Sequence, residues 1–429
     1  MKNKYANSEK LLIRAEKTIP LGSQTFSKSK LVYPLHVSPL FIKRGKGCQV
    51  WDADDNQYTD FVNGLLSISL GYCDHDVDQA IQAQLKNGVT FSLPHQLEME
   101  VAEQMVELIP CAEMVRFGKN GSDATSAAIR LARAYTKKDH IAVCGYHGWQ
   151  DWYIGSTTRD LGVPKAVKAL THKFTYNDIS SLELLFAEHP DKIAAVILEP
   201  MNVFYPKDNF LQRVKALCEQ NGAVLIFDET ITGFRFDLGG AQSLFKVTPD
   251  LATFGKGMAN GFPLSAITGK KEIMTLMEDI FYSGTFGGET LSLAAAKETI
   301  NKLVSEKVLD HIHDMGTLLI DGLTALIEKH NAKNLFSVSG HPAWSFLLIG
   351  KINQISEQQL SSLIQQEMHS RHILVGGAHN ISYSHQASHI KLLLDAYDEI
   401  IPLAVEVNNN GNFNQYFHGE VTKPVFKVR

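Results

Sequence analysis

A single lysine, Lys256, ends an apolar run in the segment DLATFGKGMANGFPLSAITG and is followed by glycines and a proline. A buried ammonium group is unfavourable unless it is paired or has lost its proton, so this position needs a chemical reason. A partly desolvated lysine has a lowered pKa and attacks carbonyl carbons to form a Schiff base. An ordinary surface lysine at a strand end is the more common alternative for a lysine taken alone. The residues at the neighbouring strand ends therefore decide what Lys256 does.

An acid follows the preceding apolar run, where the stretch FDET places Asp228 at its end. A carboxylate buried beside a pyridine-type nitrogen keeps that nitrogen protonated, which makes pyridoxal phosphate an electron sink. The alternative for Asp228 is an aspartate that is hydrogen-bonded at a strand end or at a helix N-cap. The lysine and the acid together favour the cofactor interpretation.

Two glycine-rich segments precede helices and are candidates for phosphate binding. The stretch GKNGSDATSAAIRLA places Gly121 and Ser122 at the start of an amphipathic helix, where backbone N–H groups, the helix dipole and a hydroxyl attract a phosphate. Thr285, between glycines in SGTFGGETLSLAAA, is a second candidate donor. In both segments a simple turn and N-cap is the alternative. Neither matches a Walker loop or a G-x-G-x-x-G turn, so the pattern disfavours ATP and NAD binding.

An aromatic pair ends another strand-like run in GYHGWQDWY, where Tyr146 and His147 supply a flat ring that can stack on an aromatic cofactor. Aromatic residues that close the core at the rim of a sheet are the alternative. Three further charged residues, Glu199, Glu229 and Arg235, flank the site in sequence. For these three we favour structural hydrogen bonding within the crevice.

The order of elements along the chain predicts how these residues meet. Between about residues 75 and 300, apolar β-rich runs alternate with helical segments. That alternation predicts an α/β fold with a mostly parallel central sheet flanked by helices, in which ligands lie beyond the carboxyl ends of the strands. We expect this large cofactor-binding domain to span 61–305. An N-terminal segment, 1–60, with a hairpin in QVWDADDNQYTDF, is expected to pack with a smaller α+β domain over 306–429.

Composition narrows the class of protein. The net charge of -5 is spread over interspersed acidic and basic residues, which predicts binding of neither nucleic acid nor a membrane surface. The five cysteines lie far apart without a C-x-x-C pair, so neither a disulfide framework nor a zinc site is expected, and we expect no metal in the active site. No segment has the apolar length of a signal peptide or a membrane span, and we expect a cytoplasmic enzyme.

Five segments together resemble a known family. The segments FGKNGSDATSAAIRLARAYT, YHGWQDWY, AVLIFDETITGFR, ATFGKGMANGFPLSAITG and YSGTFGGETLSLAAA occur in this order. They are similar to the class III pyridoxal phosphate-dependent aminotransferases of fold type I, and within them to the glutamate-1-semialdehyde 2,1-aminomutase-like group. The resemblance extends from about residue 15 to residue 405. It implies pyridoxal 5'-phosphate as the cofactor.

The resemblance also implies roles for the cofactor-ring residues. Lys256 is then the lysine of the internal aldimine, and it moves the proton between the substrate carbon and the cofactor. Asp228 pairs with the pyridinium nitrogen, Ile231 packs under the ring, and Tyr146 stacks above it. His147 is counted among the cofactor-binding residues.

For the phosphate, the resemblance implies contacts from two subunits. Gly121 and Ser122 bind it from the same chain, and Thr285 binds it from the neighbouring subunit. A homodimer is therefore expected to complete each active site.

Three segments depart from the aminomutase pattern. The stretch PLGSQTFSK aligns with a P-G-G-V-N-S-P-V-R segment and places Thr25 and Lys28 where the aminomutase has a serine and a carboxylate-binding arginine. Lysine does not replace arginine in bidentate carboxylate binding. Gly377 aligns with a glutamate that contacts the substrate's amino groups, and YHGWQD brings Trp149 to the entrance. All of these departures concern substrate recognition.

We therefore expect an aminotransferase that moves an amino group from an amino donor to an aldehyde or keto acceptor through a Lys256 Schiff base. The alternatives are intramolecular amino transfer by a glutamate-1-semialdehyde 2,1-aminomutase, and decarboxylation or racemisation on the same cofactor. The polar segment SQTFSKSK and the lost arginine suggest a polyhydroxylated carbonyl acceptor. A non-catalytic protein that has kept the fold is disfavoured because Lys256 and Asp228 are both present.

Overall fold

In the computed structural model, which describes residues 4–423, the chain forms two units. The central unit is His75–Leu309, and the split unit consists of the described residues up to Asp74 and from Asp310 onward. The expected cofactor-binding residues lie in the central unit. Thr25, Lys28 and Gly377 lie in the split unit. The domain limits expected from the sequence stay a prediction.

The strands of the described chain are short. They are Ile42–Lys46 (β1), Gln49–Asp52 (β2), Gln57–Asp60 (β3), Met114–Gly118 (β4), His140–Cys144 (β5), Thr171–Lys173 (β6), Ile193–Leu198 (β7), Val224–Asp228 (β8), Leu251–Phe254 (β9), Ser265–Gly269 (β10), Phe336–His341 (β11), Trp344–Ile349 (β12), Ile373–Leu374 (β13) and His379–Asn380 (β14).

The α-helices range from single turns to 24 residues. They are Ala6–Ala15 (α1), Asn63–Leu66 (α2), His75–Leu85 (α3), Gln96–Leu108 (α4), Gly121–Thr136 (α5), Asp151–Ile154 (α6), Lys165–Lys168 (α7), Ile179–Glu188 (α8), Phe210–Gln220 (α9), Ala241–Phe245 (α10), Lys271–Met274 (α11), Thr290–Ser305 (α12), Val308–Lys329 (α13), Glu357–Ser370 (α14), Ala387–Asn410 (α15) and Phe413–Tyr416 (α16).

A seven-stranded sheet forms the middle of the central unit, in the order β4-β10-β9-β8-β7-β5-β6. Strand β10 is antiparallel to both of its neighbours, whereas the pairs on the other side of β9 are parallel. The expected α/β fold with a mostly parallel central sheet is confirmed. The antiparallel strand β10 was not anticipated, because its sequence SAITG is short and follows a glycine-rich turn.

Both faces of this sheet are buried, which explains the continuous apolar runs of its strands. Ile197 of β7 and Ile226 of β8 belong to one hydrophobic cluster with the alanine-rich face of α5. Their neighbours Val196 and Phe227 point the other way, into a cluster with α8 and α9. Because successive side chains of a strand alternate between faces, each strand contributes to two cores.

Helix α5 begins at a well-defined cap, which fixes the position of its first residues. The Asn120 side chain accepts from the N–H of Asp123, and the Asp123 carboxylate accepts from the N–H of Asn120 at 3.1 Å. This reciprocal pairing is a capping box, which stabilises a helix start. Small buried residues such as Ala124 and Ala128 bring the helix close to the sheet. Gly121 and Ser122 are thereby held at a rigid helix N-terminus.

The split unit contains two smaller sheets. Strands β2 and β3 form the expected antiparallel hairpin, and β13 pairs in parallel with β3 through Ile373 opposite Thr59. The third sheet has the order β11-β12-β14. Because β3 and β13 come from opposite ends of the sequence, this pairing joins the N-terminal segment to the C-terminal part of the chain. Across residues 4–423, none of the helices combines the length and the apolarity needed to cross a membrane.

Candidate active site

The carboxyl ends of the parallel strands of the large sheet converge on one edge. Tyr146 and His147 follow β5, Glu199 follows β7, Asp228 ends β8, and Lys256 follows β9. All lie in the central unit, so a single framework holds them. In open α/β sheets this edge is the position of ligand sites.

Asp228 is buried and held by several donors. His147 Nδ1 lies 2.8 Å from Asp228 Oδ2, while Asp228 Oδ1 accepts from the Thr253 hydroxyl at 3.1 Å. Burial by itself raises the pKa of Asp228, but the hydrogen bond and the charge of His147, with bonds from Thr230, bring that pKa below its ordinary value. The group is therefore a carboxylate at neutral pH.

The His147 ring is a hydrogen-bond partner of the Asp228 carboxylate. It is buried, and its Nε2 atom lies 3.0 Å from the carbonyl oxygen of Cys144, so both ring nitrogens face acceptors. The sequence suggested that Tyr146 and His147 supply a stacking ring. In the structure the His147 ring instead lies between the Cys144 carbonyl and Asp228, where it orients the Asp228 carboxylate.

Lys256 occupies a strained and desolvated position. Its φ is 44°, in the left-handed region that residues with a Cβ seldom adopt, and it opens a 3₁₀ turn directly after β9. Burial lowers the pKa of Lys256 to about 8, although the nearby carboxylates of Glu199 and Asp228 oppose that shift. A lysine with this pKa has a far larger fraction of the neutral, nucleophilic amine at neutral pH than a lysine with the ordinary pKa of 10.5.

The N-terminus of α5 is open toward the same edge. Asn120 caps the N–H of Asp123, and the N–H groups of Gly121 and Ser122 precede that bond, so they point out of the helix. A Cβ at Gly121 would lie 3.2 Å from Cγ2 of Thr230, which follows β8. The close approach of backbone and strand end makes this helix start suitable for a phosphate.

The turn between β5 and α6 is shaped by two glycines. Gly145 and Gly148 have φ values of 104° and 107°, and a Cβ at Gly148 would lie 2.2 Å from Oγ of Ser122. The N–H of Trp149 donates to that same Ser122 oxygen at 3.2 Å. The turn is thereby fastened to α5, and the serine hydroxyl keeps its proton available for a ligand.

Tyr146 is exposed above this edge. Its ring is 47% exposed and meets Tyr153 edge-on, with the ring centroids 5.6 Å apart. The hydroxyl of Tyr153 in turn donates to the carbonyl of Gly145 at 2.7 Å. A supported and partly exposed ring is suited to stacking on a flat ligand.

Glu199 and Glu229 are engaged in local hydrogen bonds. Glu199 accepts from the N–H of Tyr146 at 3.0 Å and from the Asn202 amide at 2.9 Å. Glu229 accepts from the N–H groups of Ala241 and Gln242, and burial raises its pKa to about 7. Both carboxylates shape loops around the crevice, and Arg235 is buried as well.

The remaining expected site residues are spread over the chain. Ile231 is half-buried after β8, and Trp149 is 67% exposed. Thr285 is exposed in the loop before α12 and lines a surface cavity with Phe117 and Tyr282. In the split unit, Thr25 precedes a 3₁₀ turn that Lys28 ends, and Gly377 lies exposed between β13 and β14. The substrate roles of these last three residues stay a prediction.

Ser265, at the start of β10, was missed from the sequence. Its buried Oγ atom has no hydrogen-bond partner among the described residues, and its Cβ lies 3.8 Å from the position of a Cβ on Gly255, next to Lys256. A buried hydroxyl without a partner is unusual in a folded protein. Together with a nucleophilic lysine, a buried acid and an open helix start, it fits a polar, phosphorylated cofactor.

Comparison with a family model matches the description "Aminotransferase class-III" over residues 32–341. Among curated proteins, the chain is similar to the glutamate-1-semialdehyde 2,1-aminomutase of Francisella tularensis, with 39% identity over 350 residues that cover 77% of this chain and 80% of the relative. It is also similar to the 3-aminobutyryl-CoA aminotransferase of Cloacimonas acidaminovorans, with 40% identity over 323 residues that cover 73% and 77%.

Solved structures share the fold over nearly the whole chain. An omega-transaminase from Sphaerobacter thermophilus superimposes with a TM-score of 0.84 at 28% identity, over 93% of this chain and 98% of the other. The PLP internal aldimine form of the FumI protein of a Sphingopyxis species gives a TM-score of 0.86 at 27% identity, over 94% and 98%.

Proposed function

The chain belongs to the class III aminotransferases, and from that premise we propose that it uses pyridoxal 5'-phosphate to move an amino group from an amino donor to an aldehyde or keto acceptor. The observation that carries this function is the joint placement of Lys256 and the His147–Asp228 pair at one sheet edge. The pair has a nitrogen-to-oxygen distance of 2.8 Å and is buried. A non-catalytic protein has no physical reason to keep a strained lysine beside a desolvated acid.

The described residues provide one group for each part of this cofactor. Nζ of Lys256 would be the nucleophile that holds the cofactor covalently, and Asp228 would be the carboxylate for its pyridine nitrogen. The N–H groups of Gly121 and Ser122 would bind the phosphate, and Ile231 and Tyr146 would cover the two faces of the ring. When bound, the cofactor withdraws electrons from the substrate carbon that carries the amino group and so acidifies its C–H bond.

The chain's own residues then handle protons and charge. With the cofactor bound, Nζ of Lys256 would take up the proton from the substrate carbon that carries the amino group and release it again, so that one side chain would serve as base and then as acid. A pKa of about 8 suits this exchange, because both forms of the amine are populated near neutral pH. His147 and Thr253 hydrogen-bond to Asp228, and the ionised acid would support a positive charge on the ring nitrogen of the cofactor.

We propose a homodimer with shared active sites, in which Thr285 contributes to the partner's phosphate contact. Phe281 and Phe286, on either side of Thr285, are 80% and 59% exposed. Leu93 is 79% exposed, and the adjacent Pro94 lines a cavity with Tyr282 and Gly284 of the same loop. Clustered exposed apolar side chains of this size are typical of an association surface.

The departures at Lys28, Trp149 and Gly377 favour an intermolecular aminotransferase over the aminomutase, with a polyhydroxylated carbonyl among the candidate acceptors. The similarity to the 3-aminobutyryl-CoA aminotransferase supports intermolecular transfer. Intramolecular transfer is the second candidate, because the aminomutase relative is 39% identical. Decarboxylation and racemisation stay alternatives, because the bond to the substrate carbon that breaks depends on how the substrate-binding residues of the protein orient the donor.

An isotope experiment separates these functions. The holoenzyme is incubated with ¹⁵N-labelled glutamate or alanine and a panel of 2-oxo acids, aldehydes and oxo sugars, and the products are analysed by mass spectrometry. Appearance of ¹⁵N in the acceptor supports the proposal. Turnover of glutamate-1-semialdehyde with no transfer to any other acceptor would instead identify an aminomutase, and release of CO₂ or a racemic donor would identify the other two reactions.

A further inference from the structure

Three histidines cluster in the central unit, away from the proposed active site. His140 is the first residue of β5, His172 lies in the edge strand β6, and His189 immediately follows α8. The expected site residues Tyr146 and His147 follow the opposite end of β5. At about 3.3 Å per residue, the five-residue strand separates the cluster from them by about 15 Å.

The sheet register brings the first two rings to the same face. His172 pairs with Ala142, two residues beyond His140, and residues two apart on a strand point to the same side. Helix α8 contributes Leu182 and Phe186 to the core on its side of the sheet, and its C-terminal end carries His189. Three separate elements are thereby joined by three imidazole rings.

The ring nitrogens are close enough to share an ion. His140 Nδ1 lies 2.8 Å from His172 Nε2, and one nitrogen from each of the three rings lies within 4.8 Å of the others. A tetrahedral zinc ion with Zn–N bonds of about 2.0–2.1 Å separates its ligand atoms by about 3.3 Å. The observed separations, 2.8 Å for one pair and up to 4.8 Å within the cluster, lie on either side of that spacing.

The closest polar contact within the cluster joins His140 and His172, so one of these two nitrogens donates to the other when no ion is bound. The rings are half-buried, and the centroids of His172 and His189 are only 4.0 Å apart. Burial lowers the pKa of His172 to about 4, with contributions from the charges of His189 and His140. Coordination needs no net proton loss from a neutral ring, because the single ring proton moves to the nitrogen that faces away from the ion.

We propose that His140, His172 and His189 bind one divalent transition-metal ion of the zinc class, with water in the fourth position, and that the ion fastens edge strand β6 to the end of α8. Imidazole nitrogens are favoured ligands of Zn²⁺, Cu²⁺, Ni²⁺ and Co²⁺. The half-buried rings leave the ion a path from solvent. Because the cluster lies at the N-terminal end of β5, opposite the strand ends that carry the proposed active site, the ion stabilises the fold and takes no part in amino transfer.

Cobalt titration of the purified holoenzyme tests this site. Co²⁺ is added to metal-free protein, and the visible ligand-field bands and the stoichiometry are recorded, followed by displacement with Zn²⁺. We expect one Co²⁺ per chain with the intense bands of a four-coordinate site, a Kd of about 1 µM or below for Zn²⁺, and a higher Tm with Zn²⁺. Absence of binding below about 1 mM would overturn the proposal.

Variants locate the ion. His172→Gln is expected to weaken binding by at least about 100-fold, beyond the effect of an outer-shell change, and to abolish the Tm increase. His189→Gln, outside the strands, is expected to do the same and guards against misfolding of the first variant. His75→Gln, an exposed histidine of the same unit, is the matched control and should bind as wild type. Equal binding by all three variants would place the ion elsewhere and contradict the proposal.

Discussion

At the scale of single residues, burial changes the pKa values of two groups, Lys256 and Asp228, on which the proposed chemistry depends. Lys256 is desolvated, which lowers its pKa to about 8. Asp228 is buried too, but its bonds to His147 and Thr230 lower its pKa. The result is an amine that loses its proton readily beside an acid that stays charged. Separated in this way, the two groups suit different tasks on one cofactor.

The lowered pKa of Lys256 predicts the pH dependence of cofactor binding. Only the neutral amine attacks the cofactor's aldehyde, so the rate at which apoenzyme takes up pyridoxal phosphate should rise with pH and level off above about 8. The rate is followed by absorption after rapid mixing. N-acetyl-lysine amide, with an ordinary lysine pKa, serves as the control. A rate that continues to rise toward pH 10.5, as expected of an exposed lysine, would contradict the assignment.

His147 is predicted to act through Asp228 as a positioning residue. His147→Gln removes a charge-assisted hydrogen bond, and such bonds contribute about 1.5–3 kcal/mol, so kcat/KM should fall by about 10- to 100-fold near pH 7. Burial then raises the pKa of Asp228, and the acid limb of the pH profile should move to higher pH. His75→Gln is the control. An unchanged acid limb would show that His147 has only a structural role.

At the scale of elements, the site is a set of strand ends and one helix start that glycines bring together. The turn after β5 passes so close to α5 that Gly148 has no room for a side chain beside Ser122. The sequence identified these elements because apolar runs and capping residues are local signals. It did not identify β10 or Ser265, because a five-residue antiparallel strand after a glycine-rich turn has no distinctive period.

Gly148→Ala should disrupt both the turn and phosphate binding. The substitution adds a Cβ at 2.2 Å from Ser122 Oγ in addition to the strain of a φ of 107°. We expect a loss of about 1–3 kcal/mol in the free energy of unfolding and a higher Kd for the cofactor.

Gly162→Ala is the matched control for this test. Gly162 has a φ of 88°, but a Cβ added there would meet no atom within 4 Å, so this variant reports the backbone strain alone. It should destabilise the fold less than Gly148→Ala and leave cofactor affinity unchanged. Equal cofactor affinity in the two variants would mean that the turn does not support the phosphate site.

The histidine cluster shows a second limit of sequence analysis at this scale. No zinc site was expected, because the cysteines are scattered without a C-x-x-C pair. The three histidines lie on separate elements and have no recognisable ligand spacing either. Only the parallel pairing of β5 with β6 and the end point of α8 bring the rings together. Such a cluster depends on long-range topology, which no local pattern encodes.

At the scale of the whole molecule, the central unit contains every expected contact to the cofactor ring. The motifs around Asp228 and Lys256 predicted both the fold class and this cofactor chemistry. The substrate residues are less predictable, and the roles of Lys28 and Gly377 in the split unit and of Trp149 in the central unit stay predictions. The proposed dimer would also be needed for phosphate binding, because Thr285 is proposed to contact the phosphate bound in the partner subunit.

Disrupting the exposed apolar cluster should dissociate the proposed dimer and lower activity together. Replacing Leu93 and Phe281, 79% and 80% exposed, by serine removes apolar surface that we assign to the interface. We expect a monomer in analytical ultracentrifugation and at least about a 10-fold weaker affinity for the cofactor. Leu184→Ser, at a 57% exposed position on α8, is the control. If the double variant stays dimeric, the assignment of the interface to Leu93 and Phe281 is contradicted.

The covalent role of Lys256 is tested most directly by reductive fixation. The holoenzyme is treated with borohydride and digested, and the peptides are mapped by mass spectrometry. We expect the reduced cofactor to be attached to the peptide that contains Lys256. We expect Lys256→Ala neither to retain the cofactor covalently nor to catalyse turnover. An unmodified Lys256 peptide with the cofactor on another lysine, or turnover retained by Lys256→Ala, would contradict the assignment.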